Sequence, residues 1–236
     1  MKLGSLDISK VYLGSTEVSK AYLGNVVVHE GKTLETPYIK DGLTFLLDGV
    51  NKGGDSTAWT DLVKGIKFPY VTGVTADTDN VTFASGHSAM VADKGLTYNS
   101  KINATVEIVW QYSHANNQQS IFRSDIDGLG FFQYYRADFG FYCRKSTSSN
   151  DVQCIANPTS NRVEGKKLSV TYSPSVGYIN GVLANNDGTR NIGIGTLTLG
   201  INYVGKIYCI RLYNRVLTEA ERLANYAVDV DRFSIT

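Results

Sequence analysis

The chain has 236 residues, 42% of them apolar, with 23 basic against 22 acidic side chains. That length carries one large domain, or one plus a small appendage. The balanced charge argues against the basic stripe of a nucleic-acid interface, and no apolar run reaches the ~18–20 residues of a membrane-spanning helix, so neither nucleic acid nor membrane insertion is expected.

The first residues, Met1-Lys2-Leu3-Gly4-Ser5-Leu6-Asp7, hold no continuous apolar stretch, so no signal peptide is expected and synthesis in a cytoplasm is. Three cysteines (Cys143, Cys154, Cys209), odd in number and without a C-x-x-C pair, read as reduced, buried small hydrophobes.

Residues 1–31 repeat one sentence three times: MKLGSLDISK, VYLGSTEVSK, AYLGNVVVHE. Leu3, Leu13 and Leu23 each precede a glycine, and Ile8, Val18 and Val28 share a later slot. Gly-Ser and Gly-Asn suit two-residue hairpin turns, which predicts a small β-meander turning at Gly14-Ser15 and Gly24-Asn25. In that register Val11 faces Val18 and Leu13 faces Thr16. Ala21 and Leu23 face Val28 and Val26 on the other side. The apolar face therefore switches within one strand, and ribbons this small are marginal alone in water. Leu13, Val18, Tyr22, Leu23, Val26 and Val28 are the expected anchoring or oligomerisation residues, clamped by partner chains.

Residues 32–41, with Lys32, Glu35, Pro37 and Lys40, read as a linker to a domain over 42–236. There Leu43, Phe45 and Leu47 alternate with Thr44, Leu46 and Asp48. Val106, Ile108, Trp110 and Tyr112 share one strand face, and Thr105, Glu107, Val109 and Gln111 the other. Lys167–Ser173 and Gly205–Tyr213 are further strands, and Asn180-Gly181 is a hairpin signal. About a dozen such strands, with no βα alternation, predict an all-β fold: a two-sheet antiparallel jelly-roll sandwich. One short C-terminal helix starts at a Thr218/Glu221 capping box. Its apolar stripe is Leu223, Ala224, Tyr226 and Ala227, and it is expected to cover an open end or edge of the sandwich.

Gly205–Glu221 (GKIYCIRLYNRVLTEAE) resembles the closing motif of laminin-G-like domains: a glycine-led strand ending Tyr-Asn-Arg, then a Leu-Thr-x-x-Glu helix start. Tyr178-Ile179-Asn180-Gly181 resembles that family's Tyr-x-Asn-Gly hairpin. Leu43–Gly49 with Trp59-Thr60-Asp61-Leu62 resembles its opening strand and loop. The likeness spans about residues 42–228 and implies the concanavalin A-like jelly roll. The Tyr-Leu-Gly-Ser/Asn decads ahead of such a domain resemble virion proteins of tailed phages of gut bacteria, namely head-fibre, tail-fibre or appendage subunits. That resemblance implies a homotrimer located in the virion, attached to other virion proteins through the repeat, with the sandwich outward for adhesion to a host surface or cell-surface glycan. A carbohydrate-binding module of a bacterial surface or secreted protein is the alternative, and a glucanase-like hydrolase a weaker one.

A retaining glycosidase needs two carboxylates roughly 5–5.5 Å apart. A sandwich glucanase draws them from one strand as Glu-x-Asp-x-x-Glu, a run this chain does not contain. Glu107 has Val109 two places on, and Asp125 and Asp127 adjoin Gly128 and read as a turn. His29, His87 and His114 have no partners at metal spacing. No catalytic or metal residue and no cofactor is therefore expected. Calcium is the one cation considered, since Asp48, Asn51 and Asp55, and Asp77, Asp79 and Asn80, form oxygen-rich loops, though Asx beside glycine usually makes turns. The densest aromatic run is Phe131-Phe132-Gln133-Tyr134-Tyr135-Arg136. Tyr134, Tyr135 and Arg136 are its candidate ligand-binding residues, with Tyr134 and Arg136 on one face.

Overall fold

The computed structural model describes residues 34–84, 89–95, 104–113, 165–173, 176–184 and 195–236 in full, together with Ser120, Ile121 and Arg123, and elsewhere the backbone of the strands named below. It divides into two compact units, Met1–Pro37 and Tyr38–Thr236.

In the first unit each decad folds back on itself. β1 (Lys2–Leu3) pairs β2 (Leu6–Asp7), β3 (Tyr12–Leu13) pairs β4 (Thr16–Glu17), and β5 (Lys20–Leu23) pairs β6 (Val26–Glu30). The meander is thus three separately bonded strand pairs, one per decad. Leu13 lies opposite Thr16 and Leu23 opposite Val26, as the turns require. A shift between Ala21 and Tyr22 sets Ala21 against His29 instead of Val28. One extra residue in the β6 arm is the geometry of a bulge. Val18 lies outside the described residues, as do the side chains of Leu13, Tyr22, Leu23, Val26 and Val28.

The second unit is an antiparallel β-sandwich. Its eight-stranded sheet runs β10 (Val74–Ala76), β11 (Val81–Phe83), β24 (Gly205–Tyr213), β14 (Thr105–Tyr112), β19 (Lys167–Tyr172), β20 (Gly177–Ile179) and β21 (Val182–Asn185), with β7 (Leu43–Asp48) also bonded to β24. The six-stranded sheet runs β12 (Met90–Val91), β23 (Leu197–Ile201), β15 (Gln119–Ser124), β16 (Phe131–Tyr135), β17 (Gly140–Arg144) and β18 (Val152–Ala156). Two ribbons, β8 (Ala58–Thr60) with β9 (Lys67–Pro69) and β13 (Tyr98–Ile102) with β22 (Ile192–Ile194), complete it. At the β20–β21 turn, Asn180 and Gly181 both take positive φ (47° and 76°), the backbone that this dipeptide adopts at least cost.

Period-two alternation sorts the side chains. Phe45 and Leu47, then Val106, Ile108 and Trp110, then Val170 and Ile210, meet Met90, Ile121, Leu197 and Leu199 of the other sheet in one core. Trp59 closes this core, its indole N–H donating to the Asp48 carbonyl at 3.1 Å.

The helix, α1 (Glu219–Phe233), opens on the expected capping box: Glu221 N donates to Thr218 Oγ1 (3.3 Å) and Thr218 N to Glu221 Oε2 (2.9 Å). Its placement differs from expectation. It lies on the outer face of the eight-stranded sheet, where it bonds to Glu107 and Arg211, not across an end or edge. Its buried residues are Arg222, Asn225, Asp229 and Phe233, while Leu223, Ala224 and Ala227 face solvent. The face is polar because the strand residues beneath it are polar, so the helix is seated by matched charges and hydrogen bonds more than by an apolar stripe. This also explains why both faces of β7 and β14 are buried: Leu46, Glu107 and Val109 lie under the helix side.

Candidate functional site

Two polar regions of the sandwich were open to chemistry on sequence grounds: the outer side of β14 and the oxygen-rich loops. They are built in opposite ways.

Under α1, Arg211 from β24 sits between two carboxylates. Its Nε donates to Glu107 Oε2 at 2.8 Å, and Nη1 and Nη2 grip Asp229 Oδ1 and Oδ2 at 2.6 and 2.7 Å. Thr171 donates to Glu107 Oε1 (3.2 Å), Asn225 to Glu107 Oε2 (2.8 Å), and Ser169 to Asp229 Oδ2 (2.9 Å). The Tyr38 ring covers the guanidinium at 4.0 Å, and Ile39 N donates to Asn225 Oδ1. These two contacts come from the sequence-assigned linker, whose residues from Tyr38 onward belong to the second unit. Glu107, Arg211 and Asp229 are each at most 1% exposed.

Burial pushes the Glu107 carboxyl up, outweighing the pull of Arg211. Burial would weaken the Arg211 charge, yet Asp229 and Glu107 outweigh it and hold the guanidinium firmly protonated. The Cys209 thiol alongside is pushed up to about 12 by burial, which makes it a poor nucleophile. Each carboxylate oxygen has a donor and each is dry. The arrangement fixes helix to sheet and presents no acid to a substrate.

The oxygen-rich loops meet at one end of the sandwich. The Val50–Ser56 loop, Tyr70 and Ala76 enclose an open cleft of about 490 Å³. The loop is held by its own bonds. Asn51 Oδ1 accepts from Gly53 N (3.2 Å). Asp55 Oδ1 accepts from Thr57 N (2.9 Å) and Thr57 Oγ1 (2.7 Å), and Asp55 Oδ2 pairs with Lys67 Nζ at 2.7 Å. Gly53 and Gly54 take φ of 80° and 75°, which a side chain would strain. The Lys67 and Thr57 donors hold the Asp55 carboxyl well below the usual carboxylate range.

The two candidate calcium loops do converge, but around an ammonium. Lys52 Nζ donates to the Gly49 carbonyl and to the Thr78 carbonyl (3.3 Å), so it bridges the loops. Burial lowers its proton affinity, while Asp48, Asp79 and Asp77 pull it back. Asp48 is itself gripped by Arg232 at 2.9 Å, and Asp77 and Asn80 both accept from Thr82. Among the described residues no three carboxylate, imidazole or thiolate side chains gather at metal spacing.

Of the ligand-binding residues expected from sequence, Tyr134 and Tyr135 lie on β16, paired through the backbone with Phe141 and Gly140 of β17. Their side chains, and Arg136 altogether, lie outside the described residues, as do Asp125, Asp127, His87 and His114 and the His29 side chain. Sequence reasoning named Asn51 and Asp55 as candidate cation ligands; Ser56 and Tyr70, which also line the cleft, it did not single out. The signal available was Asn51-Lys52-Gly53-Gly54-Asp55-Ser56, whose paired glycines and Asx turns expose the polar groups between them.

No family model matches the chain, and no curated protein sequence matches it. Solved structures do resemble it. The sialidase of Trypanosoma rangeli aligns with a TM-score of 0.56 at 13% identity over 91% of this chain and 36% of its own. The botulinum neurotoxin serotype D ligand binding domain, solved in complex with N-acetylneuraminic acid, gives 0.61 at 14% identity over 81% of this chain and 52% of its own. A second structure of that binding domain gives 0.60 at 15% identity. The likeness shows the fold, an antiparallel β-sandwich. The chain spans about a third of the sialidase and half of the neurotoxin domain.

Proposed function

We propose that this chain is a non-catalytic adhesion module: a glycan-binding sandwich carried on an oligomerising repeat, built as a subunit of a virion fibre or head appendage. The observation that carries the reading is the fate of two buried acids, Glu107 on β14 and Asp229 on α1. Both are spent on the Arg211 guanidinium beneath α1, which supports the reading that neither serves as an acid or base. The fold's likeness to a sialidase and to a neurotoxin domain crystallised with N-acetylneuraminic acid supports a sugar as ligand. The decad repeat supports assembly. Its hairpins have arms of two to five residues, too short to be stable alone in water, so they gain most from neighbouring chains.

Light scattering coupled to gel filtration tests the assembly half. The module should run as a trimer, and deletion of residues 1–31 should give a folded monomer. A monomeric full chain overturns the fibre reading. Release of free sugar from sialyl or glucan substrates by the purified protein overturns the non-catalytic half.

A further inference from the structure

Three of the four arginines between Gly205 and Thr236 are ion-paired: Arg211 with Glu107 and Asp229, Arg215 with Asp41 and Glu221, and Arg232 with Asp48. Arg222, in the first turn of α1, is the exception. It is only 5% exposed, yet among the described residues no carboxylate lies within ion-pair distance of it. Its Nη1 donates to the Gly181 carbonyl at 3.1 Å, and its guanidinium lies 3.6 Å over the Tyr178 ring. Nε is closed off from water and unpaired, whereas Nη2 makes no hydrogen bond and is not closed off. A ring face and one carbonyl leave a whole positive charge without a counter-charge. Burying an unpaired cation is costly, and an anion beside it removes that cost.

There is room for one. A recessed cavity of about 70 Å³ is lined by Arg222 together with Thr105, Thr171, Ser173, Val176 and Tyr178. That is several times the roughly 10–15 Å³ that one water requires. The hydroxyls on its wall already donate within the fold: Thr105 Oγ1 to the Arg215 carbonyl (3.0 Å), Thr171 Oγ1 to Glu107 (3.2 Å) and Ser173 Oγ to the Val176 carbonyl (3.4 Å). The guanidinium is therefore the donor left for a ligand, and the adjoining helix N-terminus adds to its pull on negative charge. Glu219, also on the wall, opposes more than a single negative charge. Val176, Val216 and Leu217 give the remaining wall an apolar surface that suits a small alkyl group.

We propose that this cavity, where the first turn of α1 meets the β20–β21 hairpin, binds a compact monocarboxylate of about acetate size, held at Arg222 Nη2. The bound carboxylate supplies the counter-charge that Arg222 lacks and joins hairpin to helix. The proposal goes beyond the adhesion reading and does not depend on it.

The test is thermal melting of the full chain in sodium acetate, with sodium chloride and the salt of a bulky sulfonate at equal ionic strength beside it. Wild type is compared with Arg222→Met and Val176→Phe. Val176→Phe fills the cavity and leaves the guanidinium in place, so it carries the test even where Arg222→Met fails to fold. Acetate should raise the wild-type melting temperature by about 2 °C or more over the sulfonate, and should raise neither variant. Saturation transfer from protein to the acetate methyl protons should be seen with wild type and lost in Val176→Phe. An equal rise with the sulfonate, or a rise retained in Val176→Phe, overturns the site. A response to chloride and not to acetate overturns the ligand class. Absence of both the shift and the transfer in wild type overturns the proposal outright.

Discussion

The sandwich carries two polar regions that differ in burial, one closed beneath α1 and one open at the loop end. Under α1, Glu107, Arg211, Asp229, Asn225, Ser169 and Thr171 are buried and bonded to one another across four elements. At the loop end, Asn51, Ser56 and Tyr70 border an open cleft with hydrogen-bonding capacity left over. Polar residues in a β-sandwich therefore do not announce function by type. What separates the two regions is burial: polar groups under the helix must bond to one another, because an unpaired buried group is costly, whereas those at the open loop are answered by water.

The comparison breaks most visibly at Arg211. Arg211→Met strands two carboxylates in a dry site, and removing one partner of a buried ion pair costs about 3–5 kcal/mol. Urea denaturation should show that loss; a change below about 1 kcal/mol would mean that water reaches the network and that the seal is not real. Asn225→Ala is the next largest. It leaves Ile39 N without its acceptor and removes one of the two donors to Glu107 Oε2, a loss of about 1–3 kcal/mol by the same measurement.

The helix start gives a smaller and pH-dependent effect. Thr218→Ala should cost about 1 kcal/mol. Arg215 and the Thr218 donors hold the Glu221 carboxyl down, from 4.5 to about 2. A folded-state value below the unfolded one adds stability that is fully present above about pH 4.5 and is lost as pH falls toward 2. Helical circular dichroism should track that loss, and Glu221→Gln should flatten it. Smallest of all is Ser56→Ala, expected to change stability by less than about 0.5 kcal/mol, as an exposed residue outside any network does.

Much of this arrangement was legible beforehand. Alternation in Leu43–Asp48 and Thr105–Tyr112 gave the core residues, Asn180-Gly181 the hairpin, and Thr218 with Glu221 the helix start. The seating of the helix was not. A search for an apolar stripe selects Leu223, Ala224 and Ala227, which face solvent, since hydrophobic periodicity cannot register a face buried through charge. The network itself joins Glu107 to Arg211 and Asn225 over 104 and 118 positions, contacts that only the fold creates. The cleft was half legible: its loop was recognised as oxygen-rich, but the role of Lys52 as the bridging cation depends on bringing residues 49–52 beside residue 78. Tyr70 reaches the cleft through the β9 ribbon, which no local pattern reports.

The contrast between a polar cluster closed beneath α1 and polar groups left at an open loop is tested most directly by urea denaturation of Arg211→Met beside Ser56→Ala. The account predicts a loss of about 3–5 kcal/mol for the first and of less than about 0.5 kcal/mol for the second. Equal losses in the two variants would contradict it.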